Sequence, residues 1–231
     1  MRIGIIGAGQ IGGTLTRRLT ELGHEVWVAN SRGPETLSAL ARETGARAVT
    51  AREAARAGRV VVVTIPEAAV RDLPTDLFEG VPDDVVVIDT GNYYPRHRDG
   101  RIDGIEEGKV ESGWVSEQLG HPVVKAFNNI RAKHLLENGK PAGTRGRRAL
   151  PVAGDRQADK EVVFALVDEL GFDAVDAGSL DESWRQQPGS PVYVTELDAD
   201  GVRSALADAT RERKPEWRAT ERSPGTFVHP A

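Results

Sequence analysis

The chain of 231 residues is long enough for one large domain or two small ones with a substantial buried core. It contains no cysteine, which excludes disulfides, thiolate metal ligands and cysteine nucleophiles. Its net charge of -5 is mild and its longest apolar run falls far short of the roughly 20 residues of a membrane span, so we expect a cytoplasmic protein that binds neither nucleic acid nor a membrane.

The first half of the chain alternates strand-like apolar runs with helical periodicity. Arg2–Ile6 predicts a strand, and the helix after it has an apolar face marked by Ile11, Leu15, Leu19 and Leu22. Pro34 opens a second helix, and further strands are predicted at residues 25–29, 60–65, 85–88 and 122–127. Near-continuous apolar strands are typical of a sheet that is buried on both faces. The pattern predicts a Rossmann-type, doubly wound α/β fold with a mostly parallel sheet.

A second βαβ pattern follows in the last third of the chain. Residues 149–153 and 172–175 read as strands around a helix at 157–170, and another helix is predicted at 200–213. We predict an NADP-binding domain over residues 1–148 and a small C-terminal α/β extension over 149–231, which either extends the sheet or forms a lobe. From Arg211 onward the chain is charged and rich in helix breakers, so we expect a tail that is frayed or laid across a partner subunit.

The glycine-rich turn Gly7-Ala8-Gly9-Gln10-Ile11-Gly12 lies between the first strand and the first helix. In a dinucleotide-binding turn the first glycine permits the tight turn, the second admits the pyrophosphate and the third allows close helix–strand packing. The helix N-terminus adds free N–H groups and the positive end of its dipole. Because strand, helix and second strand flank the turn, we interpret Gly7, Gly9, Gln10, Ile11 and Gly12 as cofactor-binding residues rather than as a turn that merely packs tightly.

The end of the second strand indicates which dinucleotide is bound. NAD-specific folds usually carry an acidic residue here to bind the adenine ribose, whereas this chain has Asn30-Ser31-Arg32 and no acid before Glu35. A hydroxyl and a guanidinium suit a 2′-phosphate, so Ser31 and Arg32 favour NADP. The same residues are also typical of a turn with a helix cap, and both interpretations can hold together.

Three later strand ends would meet at the same edge of the sheet, where open parallel sheets bind their ligands. Thr64, Ile65 and Pro66 would pack against the ribose and nicotinamide, and the amides of Asn92 and Asn129 could orient the carboxamide or a substrate. Asparagine, glycine and proline are also common in ordinary strand-to-helix turns, so this alternative stays open.

Several kinds of catalytic site are missing from the sequence. The five histidines show no metal-ligand spacing, so no metal site is predicted. The chain also has no G-x-S-x-G elbow of a serine hydrolase and no Walker A motif. What remains is chemistry that the cofactor performs itself, because hydride transfer from NADPH needs positioning more than acid–base groups.

Four motifs together resemble those of a known family. They are the glycine turn, Asn30-Ser31-Arg32-Gly33-Pro34, Asp89-Thr90-Gly91-Asn92 and Val124-Lys125-Ala126-Phe127-Asn128-Asn129. Over roughly residues 1–180 the combination resembles the NADP-dependent oxidoreductases that reduce coenzyme F420, a deazaflavin. The resemblance implies NADP as cofactor, coenzyme F420 as co-substrate and a homodimer. It also implies that Thr64, Ile65 and Asn92 lie near the cofactor and that Ala126 contacts it through its backbone.

The sequence departs from that family at two places. Glu35 stands where a basic residue is common, and Asn128-Asn129 replaces an Asn-Thr pair. The motifs therefore indicate NADP more firmly than they indicate the deazaflavin.

Two segments are candidates for contact with the acceptor. The basic residues between Lys125 and Arg148 are opposed only by Glu137, so this stretch could receive the phosphate and glutamate tail of coenzyme F420 or could be a solvated loop. The segment from Trp184 to Tyr193 is stiffened by two prolines. It could close over the nicotinamide, form a packed connection or belong to a dimer contact.

Three functional hypotheses follow. The leading one is an NADP(H)-dependent oxidoreductase that moves a hydride to coenzyme F420, with no assigned catalytic residue and with Asn129 and His134 as candidates for acceptor contact. The second is an NADPH-dependent reductase of a small carbonyl or imine, in which Lys125, His134 or Tyr193 would donate the proton. The third is a non-catalytic NADPH-binding sensor or regulatory protein.

Overall fold

The computed structural model describes all 231 residues. Its main sheet is built from β1 (Arg2–Ile6), β2 (Glu25–Ala29), β3 (Arg47–Ala48), β4 (Val60–Val63), β5 (Val86–Asp89) and β6 (Val123–Lys125). All neighbouring strands are parallel, in the order β3-β2-β1-β4-β5-β6. This order confirms the Rossmann-type prediction and places the topological switch point between β1 and β4.

Helices cover both faces of the sheet. They are α1 (Gln10–Glu21), α2 (Ser38–Thr44), α3 (Ala51–Ala55), α4 (Asp103–Glu106), α5 (Glu111–Leu119), α6 (Ala132–Glu137), α7 (Gln157–Glu169) and α8 (Ala199–Ala207). Short 3-10 segments at Pro34–Leu37, Glu67–Asp72, Leu180–Gln186 and Pro215–Trp217 and a π turn at Pro95–Asp99 complete the chain. Alternate residues of β4 enter opposite cores: Val62 packs in the core that contains Leu15 of α1, and Val63 in the core that contains Trp114 of α5.

The second βαβ unit lies against the edge of the main sheet. Strands β7 (Ala149–Val152) and β8 (Asp173–Asp176) form a parallel pair, and an antiparallel bridge between Lys125 and Ala153 joins this pair to β6. Val163 and Val167 of α7 share a core with the main sheet. The unit is therefore attached at the sheet edge and packed as one body with it, while the domain division at residue 148 stays a prediction.

The segment of residues 211–231 packs on its own chain. Arg96 donates to the carbonyl oxygens of Arg218 (2.9 Å) and Pro215 (2.6 Å), and Arg213 donates to Glu111 at 2.7 Å. The expectation of a frayed tail is therefore wrong, because hydrogen bonds to main-chain atoms and a buried ion pair hold this segment with few apolar residues, whereas an arm on a partner subunit stays a prediction. The predicted helix at 200–213 also ends early, at Ala207, because the charged residues after it offer no apolar face.

Candidate functional site

A cleft of about 740 Å³ lies outside the carboxyl ends of β1, β4 and β5, at the switch point of the sheet. Its walls are formed by five groups of residues. They are the start of α1 (Gly9, Gln10, Ile11), the turn after β4 (Thr64, Ile65, Pro66), the turn after β5 (Thr90, Gly91, Asn92), residues after β6 (Phe127, Asn128, Ile130, Arg131, Ala132, Lys133) and a distal group (Tyr94, Arg98, Tyr193, Val194, Phe227).

The glycine turn shapes one end of this cleft. A Cβ on Gly7, whose φ is +113°, would lie 2.2 Å from the carbonyl oxygen of Thr64, and a Cβ on Gly12 would lie 1.9 Å from the carbonyl oxygen of Gly7. A Cβ on Gly9 would meet no atom within 4 Å. Two glycines therefore allow backbone contact within the protein, while Gly9 leaves open space. The first turn of α1 has no acidic residue and no side-chain cap, so its N–H groups remain free for an anion.

The turn after β2 provides an unpaired cation, Arg32, near the glycine turn. The Asn30 side chain accepts from the Arg32 N–H and donates to Thr36, both at 2.9 Å, so Asn30 builds the turn. The side chains of Ser31 and Arg32 are exposed and make no hydrogen bond or ion pair within the chain. This turn can therefore be held by the Asn30 side chain and bind a phosphate through Ser31 and Arg32 at the same time. An open Gly9, free helix N–H groups and an unpaired Arg32 fit the pyrophosphate and 2′-phosphate of NADP.

The remaining predicted residues fall into two groups. Gln10, Ile11, Thr64, Ile65, Pro66 and Asn92 line the cleft with Gly9. Ala126 is fully buried behind the wall, and Asn129 is buried with its side-chain oxygen unpaired, so neither faces the cleft. His134 lies elsewhere, with its Nδ1 atom 2.8 Å from Arg148 and 3.1 Å from Glu196. The expected acceptor contacts of Asn129 and His134 are therefore not supported by their positions.

Asn128 occupies the position expected for Asn129. Its side-chain nitrogen donates to the carbonyl oxygen of Gln186 (2.7 Å) and to the side-chain oxygen of Asn92 (3.1 Å), and Asn92 donates back to the carbonyl of Asn128 (2.8 Å). Phe127 has a φ of +61°, so the extended backbone, with side chains on alternate faces, does not continue through this residue. The sequence contains no signal for a left-handed phenylalanine.

The basic stretch between Lys125 and Arg148 does not form one surface. Arg147 is buried against Asp168 (2.7 Å) and Asp173 (2.8 Å). Arg148 is buried too and donates to the carbonyl of Thr195. Of this stretch, Arg131 and Lys133 are the charged side chains that line the cleft, which leaves a much smaller cationic surface than the sequence predicts.

Lys125 lies beneath the cleft and does not line it. Its side chain is fully buried, and Nζ donates to the carbonyl oxygen of Gly91 (2.6 Å) and to Asp89 (3.1 Å). Burial lowers the pKa of Lys125, but the negative charge of Asp89, which also accepts its hydrogen bond, outweighs this and raises the pKa above its ordinary value. A cationic lysine held in this way supports the turn after β5 and has no path for a proton to a bound substrate.

Four buried carboxyl groups lie around Lys125 and Glu67, and three of them pair with a cation. Asp89 pairs with Lys125 (3.1 Å), Glu111 with Arg213 (2.7 Å) and Asp99 with Arg98 (2.9 Å). The fourth, Glu67, is fully buried and both of its carboxyl oxygens lack a partner. Burial and, next, the charge of Asp89 raise the pKa of Glu67 well above its ordinary value, and Lys125 opposes this only in part. Glu67 therefore favours its protonated form more strongly than an exposed glutamate does, and it lies directly behind Gly91.

Two tyrosine hydroxyls meet at the distal end of the cleft. Tyr94 and Tyr193 are hydrogen-bonded to each other, and burial raises the pKa of both phenols. Both hydroxyls are therefore protonated at neutral pH, and one proton of the pair remains to be donated outward. Arg98 lies over the Tyr94 ring and donates to the carbonyl oxygen of Asn92 at 2.8 Å.

The segment from Trp184 to Tyr193 contributes to two cavities. Tyr193 lines the cleft, whereas Trp184 lines a second cavity of about 520 Å³ between this segment, the turn after α4 and residues 208–218. Gln186 is fully buried between them and donates to the side-chain oxygen of Asn128 at 3.0 Å. The segment is thus both a packed connection and one wall of the cleft.

Comparison with known proteins agrees with this geometry. Residues 2–93 match a family described as NADP oxidoreductase, coenzyme F420-dependent. The crystal structure of the hypothetical protein SMa0349 from Sinorhizobium meliloti is 32% identical, with a TM-score of 0.71, over 84% of this chain and 94% of that one. The chain belongs to this NADP oxidoreductase family. Membership in the family implies NADP(H) binding and an oxidoreductase reaction.

A more distant solved structure adds the fold alone. A protein from Arthrobacter sp. FB24, described as a candidate F420-dependent NADP reductase, is 22% identical, with a TM-score of 0.62, over 77% of this chain and 84% of that one. The Escherichia coli K12 protein YjhV is 50% identical over 62 residues, which are 27% of this chain and 45% of YjhV. The match therefore spans less than half of that curated relative.

Two further findings concern metal ions and membranes. No cluster of three or more histidine, aspartate and glutamate side chains is placed to hold a metal ion. None of the helices combines the length and the apolar composition that crossing a membrane requires.

Arg32→Ala is expected to weaken NADPH binding by about 10- to 100-fold and to change NADH binding little, because a charge-assisted contact to the 2′-phosphate is lost. Fluorescence titration with both nucleotides measures this. Arg59→Ala is the matched control. Arg59 is exposed and lies just before β4, at the amino ends of the strands and away from the cleft at their carboxyl ends. An equal loss for NADPH and NADH would contradict the assignment of Arg32.

Glu67→Gln is expected to raise the melting temperature at pH 8 and to have little effect near pH 4.5. Because its raised pKa makes the folded state hold the Glu67 proton to a higher pH than the unfolded state, which loses it above about pH 4.5, the wild-type free energy of unfolding falls as pH rises through that interval, by at most about 1.4 kcal/mol per pH unit. Glutamine resembles the neutral acid and removes this loss. A variant that is less stable than the wild type at pH 8 would show that Glu67 is ionised and paired.

Proposed function

We propose that the protein transfers a hydride between the nicotinamide of NADP(H) and an acceptor bound in the same cleft, and that this acceptor is coenzyme F420. One observation carries the proposal. A single cleft extends from the free N-terminus of α1 to the distal group around Tyr94 and Tyr193, so cofactor and acceptor can share it. Its volume of about 740 Å³ lies in the usual range for small-molecule sites.

NADPH supplies the hydride when it is bound, and the residues of the chain bind and orient this cofactor. Gly9 and the first N–H groups of α1 would hold the pyrophosphate, and Ser31 and Arg32 the 2′-phosphate. Ile65 and Pro66 would form an apolar wall for the nicotinamide. The Asn92 amide, fixed by its hydrogen bonds with Asn128, would orient the ring.

The choice of coenzyme F420 rests on the family match and on the chemistry of the cleft. Its deazaflavin takes up the hydride and one proton, so the electrons balance without any further reductant, and the proton can come from water. Arg131 and Lys133 provide two exposed cations at the cleft for its phosphate and glutamate groups.

Reduction of a small carbonyl or imine is the second candidate. The Tyr94–Tyr193 hydroxyl pair favours it, because such a substrate needs a proton donor and both phenols remain protonated at neutral pH. Of the three donors that the sequence suggests, Tyr193 alone lines the cleft, since Lys125 is buried and His134 lies elsewhere. A homodimer stays a prediction, as does a binding-only role if no acceptor is reduced.

Rapid mixing of the NADPH-loaded protein with oxidised coenzyme F420 tests the proposal. We expect a single-turnover loss of absorbance from both cofactors, since NADPH is oxidised as the deazaflavin is reduced. Tyr193→Phe should keep this rate within a few-fold, because no protein acid is needed. No absorbance change from either cofactor would eliminate coenzyme F420 as the acceptor.

The same variant separates the two candidates. If a small carbonyl or imine is the substrate, Tyr193→Phe should lower its turnover by about 10²- to 10⁴-fold, the usual contribution of a positioned proton donor.

A further inference from the structure

The segment of residues 211–231 reaches the distal end of the cleft through a series of fixed contacts. It is anchored first at Arg213, which pairs with Glu111, and then at Ala219, whose N–H donates to Glu106 at 2.7 Å. It then passes Arg96, whose carbonyl oxygen accepts from the N–H groups of Gly225 (2.8 Å) and Ala231 (3.0 Å). These main-chain bonds flank Phe227 on both sides and hold its backbone at the rim of the cleft.

Phe227 is an aromatic side chain at the rim of the cleft with one face uncovered. It is 63% exposed, yet its ring centroid lies 5.6 Å from that of Tyr94 and 5.3 Å from that of His97. Trp217 of the same segment lies behind, 6.1 Å from Tyr94 and 6.3 Å from Tyr193. Tyr94, Tyr193, Trp217 and Phe227 therefore form a continuous aromatic wall, of which all but Trp217 line the cleft.

We propose that Phe227 and this aromatic wall bind the hydride acceptor by stacking, and that the acceptor is a flat, fused-ring molecule. The inference rests on the proposed function for the nicotinamide end of the same cleft. Aromatic faces recognise flat π-systems with little dependence on polar substituents, and each such contact contributes a substantial part of a ligand's affinity. A small aliphatic carbonyl or imine would gain little from a wall of this extent.

The backbone of two residues in the same cleft supports the same conclusion. Val194 has a φ of +57° and Phe127 a φ of +61°, and both residues line the cleft. Left-handed backbone is unfavourable for side chains of this size and occurs mainly where the surrounding structure imposes it at a ligand site. The two strained residues and the aromatic wall thus enclose one space beside Asn92.

Binding measurements on the NADP⁺-loaded protein test this inference without requiring turnover. The probes are coenzyme F420 and riboflavin, whose neutral isoalloxazine is a flat fused ring without the phosphate and glutamate groups. Phe227→Ala and Phe227→Leu should each bind both probes roughly 10-fold more weakly, whereas Phe227→Tyr should restore binding. Val228→Ala is the matched control, because Val228 is adjacent, 79% exposed and outside the cleft. Affinity for NADPH should stay unchanged in all four variants.

The outcomes separate this inference from the proposed acceptor. If riboflavin binding depends on Phe227 while no hydride reaches coenzyme F420, the acceptor assignment is wrong and the stacking wall is retained. If Phe227→Ala binds both probes as tightly as Val228→Ala does, or if the wild-type protein binds neither probe, the inference is overturned.

Discussion

The nucleotide end of the cleft depends on a contact between two stretches of main chain that leaves no room for a side chain. The turn after β1 lies directly against the end of β4, because neither Gly7 nor Gly12 could carry a Cβ without overlapping a carbonyl oxygen. This contact places the first N–H groups of α1 at the switch point of the sheet, next to Thr64 and Pro66. A bound dinucleotide would take its position from this contact, with its pyrophosphate at the helix N-terminus and its nicotinamide at the turn after β4.

The nicotinamide end depends on a buried electrostatic balance. Lys125 joins the ends of β5 and β6 by bonding to Asp89 and to the carbonyl of Gly91, which fixes the turn that carries Asn92. Asp89, Glu111 and Asp99 each pair with a cation, whereas burial and the charge of Asp89 raise the pKa of the unpaired Glu67 well above its ordinary value. The buried carboxyl groups and Lys125 therefore lie beneath the cleft, while its surface presents amides, phenols and aromatic rings, with Arg98, Arg131 and Lys133 as its cations. That division suits hydride transfer, which needs a well-positioned and largely dry pair of rings more than a charged catalyst.

The sequence predicts those parts of the structure that depend on local patterns. The strands of the main sheet, α1, the glycine turn and the residues from Thr64 to Pro66 follow from periodicity and from the spacing of glycines. The features that it does not predict depend on residues far apart in the chain. From the sequence, Lys125 is a motif residue that could contact a substrate, but in the fold it is buried and bonded to Asp89 and Gly91. Arg147 belongs to a stretch that the sequence allows to be solvated, but in the fold it pairs with Asp168 and Asp173. The path of residues 211–231 is set by Arg96, more than 100 positions earlier in the chain.

A crystal structure of the complex with NADP⁺ would test how the cleft binds its cofactor. We expect the pyrophosphate at Gly9 and the start of α1, the 2′-phosphate within hydrogen-bond distance of Arg32, and the nicotinamide beside Pro66 and Asn92. We also expect that Phe227 stays at the rim and leaves space for a second flat ring. A nucleotide bound instead in the 520 Å³ cavity beside Trp184, or a 2′-phosphate with no contact to Arg32, would contradict this binding mode.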